Sequence, residues 1–210
     1  MFTPESSWSV PDVFPQFSET ETVAIDLETY DPHLMTCGPG WATGRGHVVG
    51  IGVAVNDWQG YFPIRHKGGG NLDETVVIRW LSNLLSSEKR EVIFHNALYD
   101  VGWLRREGII VKGKILDTIV AAPLIDENRF SYSLDNLGDH YCDEKKDESL
   151  LQDAALAYGI NPKSEMYKLP AKYVGPYGEQ DAALTLKLWH KLKLGISDQN
   201  LDSILEMECK

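Results

Sequence analysis

Apolar residues gather along this chain first in short β-branched runs and later at helical spacing. Thr22-Val-Ala-Ile-Asp-Leu27 is short, apolar and β-branched, the pattern of a buried strand. His47 to Val55 is a second such run. Asn56-Asp57 turns the chain into a third run, Gln59 to Ile64, so these two predict a hairpin. Asp73 to Ser86 repeats at helical period, with Val76, Val77, Trp80, Leu81 and Leu84 on its inner side. Glu91 to His95 predicts a fourth strand and Lys114 to Asp117 a short fifth. Between them Asn96 is placed to cap a helix ending at Gly108. Beyond Asp117 the pattern is helical, with breaks expected near Pro123, Pro162, Pro170 and Pro176. His33–Gly46 and Lys67–Asn71 read as loops. This order predicts an α/β fold: a mixed five-stranded sheet, its second strand antiparallel, flanked by helices.

The ends differ in texture. Residues 1–20 are punctuated by proline and predict an extended lead-in, so the domain proper is expected over 21–195. Residues 196–210 read as a joint followed by the first turns of a helix. Such a short acidic helix either docks on this domain or opens a following one. No apolar run is long enough to cross a membrane, and the N-terminus lacks the basic and apolar regions of a secretory signal. The three cysteines form no C-x-x-C pair, which fits a reducing cytoplasm rather than a disulfide framework. A formal net charge of −11 weighs against a tight nucleic-acid-binding module. It does not weigh against an enzyme that reaches phosphate through divalent cations, because bound metal reverses the charge of a carboxylate cluster.

Three spacings carry candidate chemistry. Asp26 and Glu28 are two apart on a predicted strand and share a face, while Ile25 and Leu27 turn to the core. Adjacent carboxylates repel unless a cation lies between them, and a hard divalent ion such as Mg²⁺ or Mn²⁺ prefers oxygen ligands. Asn96 and Asp100 are four apart at a strand-to-helix junction, with Tyr99 beside them. Asn96 could be a cap alone, and Asp100 a first-turn acid favoured by the helix dipole. Tyr177 and Asp181 are again four apart, near a helix that Pro176 is placed to start. D-x-E alone occurs readily by chance. Here D-x-E, N-x-x-x-D and Y-x-x-x-D each occur once, and in that order.

On these motifs the chain resembles the DEDD 3′–5′ exonuclease superfamily, in its tyrosine branch, over about Glu21 to Lys193. The histidine branch has His five residues before the last Asp, where this chain has Pro176. Phe94-His-Asn-Ala-Leu-Tyr-Asp-Val-Gly-Trp-Leu104 resembles the second motif along its length. Ile115 to Val120 and Tyr132 to Leu137 resemble the segments before the third. Within the superfamily the chain is most similar to the proofreading domain of family A DNA polymerases, especially phage ones. The resemblance implies a ribonuclease H-like fold and two divalent ions, Mg²⁺ or Mn²⁺, held by Asp26, Glu28, Asp100 and Asp181. It implies that Tyr177 orients the attacking water, and that the products are nucleoside 5′-monophosphates. Thr29 and Asn96, with Leu27 and Tyr99, match positions that contact the terminal nucleotide, while Arg45, beside Trp41, could touch the backbone. The implied partners are single-stranded DNA or a frayed primer 3′ end, and a polymerase domain in cis that residues 201–210 would open. An exoribonuclease of the RNase D type shares the motifs, but usually adds basic helical RNA-binding domains. An inactive binding module would not need the four acids and Tyr177 intact.

Overall fold

A computed structural model of the protein describes residues 3–209; Met1, Phe2 and Lys210, at the ends of the expected lead-in and last helix, lie outside it. The strands are β1 (Val23–Tyr30), β2 (His47–Val55), β3 (Trp58–Pro63), β4 (Glu91–Phe94) and β5 (Lys114–Asp117). They form one sheet in the order β3-β2-β1-β4-β5. β2 runs antiparallel to β1 and β3, and β4 runs parallel to β1 and β5. The mixed five-stranded sheet read from the sequence is therefore the sheet observed.

Helices cover both faces. The expected loop after β1 holds two single turns, α1 (Leu34–Cys37) and α2 (Gly40–Thr43). The longer helices are α3 (Glu74–Leu84), α4 (Ala97–Arg106), α5 (Thr118–Ile125), α6 (Leu134–Cys142) and α7 (Ser149–Tyr158). A short α8 (Pro162–Glu165) and a 3₁₀ turn lead into α9 (Ala171–Asp198), and α10 (Asp202–Glu208) follows. Ile25 and Leu27 join a core with Val77 and Leu81 of α3 and Trp103 and Leu104 of α4. Ala24 on β1 joins the opposite core, with Leu184 and Leu188 of α9. Alternation along β1 thus sends Asp26 and Glu28 toward the α9 side.

Several expectations change. Val76 is 42% exposed, because the inner stripe of α3 centres on Val77, Leu81 and Leu84. Pro162 opens α8 and Pro170 directly precedes α9, but Pro123 and Pro176 lie inside helices. Proline at 176 cannot donate to the Lys172 carbonyl one turn earlier. That carbonyl accepts instead from the Ser6 hydroxyl at 2.8 Å. Residues 3–20 form neither helix nor strand, yet they are strapped down. The Trp8 ring lies where a Cβ on Gly175 would fall, and its indole donates to Glu179 at 2.8 Å. Phe14 stacks on Phe62, and Arg90 holds the Ser18 and Glu21 carbonyls. At the other end α9 runs through the expected joint to Asp198, and α10 buries Leu205 against the α9 core.

Candidate metal centre

Asp26, Glu28 and Asp181 each present a carboxylate oxygen, and these atoms lie within 4.8 Å of one another. The strand does not end at Leu27 as the sequence suggests. β1 continues through Glu28 to Tyr30, so the pair sits within the strand. Polar side chains here point into the site, while the backbone pairs onward with β2. Asp26 faces Gly52 and Glu28 faces Gly50, and the register slips between Glu28 and Thr29. Such a bulge re-aims the residues around it. On the other edge β4 pairs β1 only at Val23 and Ala24, and beyond Phe94 its chain turns into α4. That opens a crevice beside β1, where open α/β sheets take ligands.

Glycines let α9 close on the sheet. A Cβ at Gly52 would stand 2.3 Å from the Gly178 carbonyl, and one at Gly178 would enter the Tyr61 ring at 2.5 Å. The helix therefore passes backbone to backbone over the partner residue of Asp26. Tyr177 and Asp181 lie on α9 as the spacing required, though well inside the helix rather than at its start.

Asp100 is 5% exposed, in the first turn of α4. It lies outside the close cluster of the other three, yet near enough that the Asp26 and Glu28 charges both raise its carboxyl. Asn96 does not cap α4. It takes a left-handed conformation (φ 80°) and its side chain makes no capping bond. Asp117 caps instead: it accepts from the Asn96 and Ala97 amides at 2.9 and 2.7 Å, and from Ile119 at the start of α5. One carboxylate at the end of β5 thus fixes two helix starts, a long-range replacement for the local cap.

Burial and mutual repulsion raise all four carboxyls. Burial pushes the Asp26 carboxyl up to about 7, with Asp181 adding to the rise and Lys146 opposing it. Burial, then Asp26 and Asp181, holds Glu28 well above the usual carboxylate range. Burial, then Asp26, Asp117 and Glu28, does the same to Asp100. Asp181 is also raised by burial, against the pull of Lys146 and the Tyr177 hydroxyl. Its Oδ1 is buried without a hydrogen-bond partner among the described residues. A carboxylate-only donor set, closely spaced and short of hydrogen bonds, suits a hard divalent cation.

The terminal-nucleotide residues divide. Thr29 donates to the Tyr99 hydroxyl at 2.8 Å, and Tyr99 donates to Asp31 at 3.1 Å, so these two meet beyond the acids. Asn96 is exposed and its side chain is free. Leu27 is 7% exposed with its side chain in the α3–α4 core, which leaves only its main chain for a ligand. Trp41 lies flat on Gly102 of α4, and Arg45 is exposed with a contact to Cys37. His95 meets Thr118 at 2.8 Å, and burial, helped by Lys146, lowers it to about 4.

The sequence did not point to Lys146. Its ammonium lies 2.9 Å from Asp181 and 3.5 Å from both the Tyr177 hydroxyl and Asp135. Burial alone would lower it, but Asp181 and Asp135 outweigh burial and raise it. It sits in the charged run Asp143 to Glu148, which looks like a solvated surface, and no local pattern distinguishes it.

A family model described as 3′–5′ exonuclease, the exonuclease part of family A DNA polymerases, matches residues 5–197. The chain belongs to this family. The DNA-directed DNA polymerase of Pseudomonas phage M6 is 38% identical over 216 residues, covering 99% of this chain and 32% of that protein. The chain therefore spans about a third of that relative (32%). Among solved structures, Brucella melitensis NrnC with bound Mg²⁺ shares the fold at TM-score 0.59 and 15% identity, over 89% of this chain and 78% of that one. Escherichia coli RNase D, an exoribonuclease involved in structured RNA processing, shares it at TM-score 0.58 and 14% identity, over 90% and 43%. These two likenesses support the ribonuclease H-like fold. Membership of the exonuclease family implies divalent-metal hydrolysis, and Asp26, Glu28 and Asp181 are an acidic cluster able to serve it. Among the described residues no helix is long and apolar enough to cross a membrane.

Proposed function

We propose that the chain is the proofreading part of a longer DNA polymerase, removing nucleotides one at a time from a frayed 3′ end of DNA with two Mg²⁺ or Mn²⁺ ions. The observation that carries the reading is the convergence of Asp26, Glu28 and Asp181, with Asp181 Oδ1 buried and unpartnered. Asp26, Glu28 and Asp181 would hold one ion. Asp26 would share the second with Asp100, whose buried carboxyl feels the Asp26 charge. When bound, the ions supply a water of lowered pKa and neutralise charge on the phosphate and the leaving 3′ oxygen. The chain's own residues do the rest. The Tyr177 phenol orients the attacking water; burial and the surrounding carboxylates hold its pKa far above neutral, so it acts as a hydrogen-bonding alcohol. Thr29 and Tyr99, joined through their hydroxyls, and the exposed Asn96 side chain would contact the terminal nucleotide. With the phosphate polarised and the water held in line, no Ser or Cys nucleophile is needed.

Residues 21–195 would then be the nuclease, and 196–210 the passage into the polymerase portion, which fits relatives three times as long (this chain covers 32% of the phage M6 enzyme). DNA is preferred because the relatives are DNA polymerases, whereas the RNase D likeness concerns the fold. The test compares 5′-labelled single-stranded DNA with RNA of the same sequence. Faster stepwise shortening of the labelled DNA supports the reading, and preferential RNA trimming contradicts it.

A further inference from the structure

We propose that Lys146 is a positioning residue of this site, one that stays on Asp181 when the carboxylates hold metal. The inference rests on the metal-dependent hydrolysis proposed above. Lys146 stands in the loop between α6 and α7, and its side chain is 9% exposed, unlike a solvated surface lysine. The loop is tied to the same stretch of α9. The Asp147 amide donates to the Gln180 side chain at 3.0 Å, and Lys187 reaches Glu144 at 2.7 Å. Those ties deliver the ammonium to Asp181 Oδ2 at 2.9 Å, while its charge lies over the Tyr177 ring, 5.0 Å from the centroid.

The division of oxygens gives the role. Lys146 occupies Oδ2 of Asp181, and Oδ1 is the oxygen left without a partner. An ion can take Oδ1 without evicting the lysine. Lys146 also contacts the Tyr177 hydroxyl at 3.5 Å, so a single cation fixes both a metal-holding carboxylate and the group that orients water. A rotating carboxylate could chelate metal with both oxygens and lose that orientation; one already held by a charged hydrogen bond cannot do so freely.

A positive charge this close must also repel the metal. Removing it therefore has two opposite effects, which a merely structural lysine would not produce. In Lys146→Met, Mn²⁺ affinity measured by calorimetry should rise on the order of tenfold as the repulsion is lost. Single-strand hydrolysis should fall on the order of tenfold or more in kcat, with KM little changed, as orientation is lost. Lys146→Gln, whose amide can still donate to Asp181, should show the same split more weakly and serves if the Met variant does not fold. Tighter Mn²⁺ with slower turnover in either variant supports the proposal. Tighter Mn²⁺ with undiminished turnover would make the lysine a mere placeholder and overturn it. Unchanged affinity, or weaker affinity with slower turnover, overturns it as well. If the parent chain neither binds Mn²⁺ nor cleaves, it is the hydrolase reading that fails.

Discussion

At the scale of single residues, burial and mutual repulsion of the carboxyls govern the site. The raised carboxyl of Asp26, at about 7, binds a proton in the folded chain that the unfolded chain has already lost. Protonation therefore favours the metal-free fold, and that stability is lost as pH rises through about 7. The buried histidines His66 and His95, lowered to about 4, oppose this trend only where unfolded histidine is protonated. Between about pH 6.5 and about pH 8 the carboxylates should dominate. With chelator present, the thermal midpoint should fall across that window, and Mg²⁺ should restore it most at the alkaline end. A midpoint that rises with pH, or one that Asp26→Asn does not flatten, would contradict the assignment. Tyr177→Phe keeps the ring but removes the hydroxyl. Hydrolysis should slow on the order of 10- to 100-fold with Mn²⁺ affinity nearly unchanged, and equal cleavage rates would remove Tyr177 from water positioning. Spacing made the convergence of Asp26, Glu28 and Asp181 legible, because side chains two apart on a strand and four apart on a helix share a face. It could not reveal Lys146, nor Asp117 as a cap, because both act on residues far away in sequence.

At the scale of elements, the decisive contact is the approach of α9 to β2 through Gly52 and Gly178. Adding a methyl at Gly52 meets backbone, which cannot swing aside as a side chain would. Gly52→Ala should cost about 1–3 kcal/mol in chemical denaturation. It should also weaken Mn²⁺ binding, since moving α9 moves Asp181 away from Asp26. Unchanged stability and affinity would mean that the close approach is not needed. The sequence read strands well where both faces are apolar, as in β2 and β4. It stopped β1 short because Glu28, Thr29 and Tyr30 are polar, although their backbone pairs with β2. It started α9 too late because Pro176 ordinarily ends or begins a helix. Here the freed Lys172 carbonyl finds the Ser6 hydroxyl, a partner no local pattern could supply.

At the scale of the whole molecule, the N-terminal strap and the net charge both bear on the proposed site. The strap is part of the fold: Trp8 packs against Gly175 and bonds Glu179, both on the helix that carries Tyr177 and Asp181. Trp8→Ala should destabilise by about 2 kcal/mol, less than a fully buried Trp because the residue is only partly buried, and an unchanged denaturation midpoint would show that the strap merely rests there. A net charge of −11 makes the molecule a poor holder of DNA without metal, so binding of single strands should require divalent cations. The account then turns on whether Asp26 and Glu28 are the metal's ligands in hydrolysis. Its most direct test is digestion of a 5′-labelled single-stranded DNA in Mg²⁺ or Mn²⁺ by the parent chain and by Asp26→Ala/Glu28→Ala, both checked for folding by circular dichroism. The parent should give a ladder descending one nucleotide at a time, and the folded double variant should give none. A double variant that digests as fast as the parent would contradict the account.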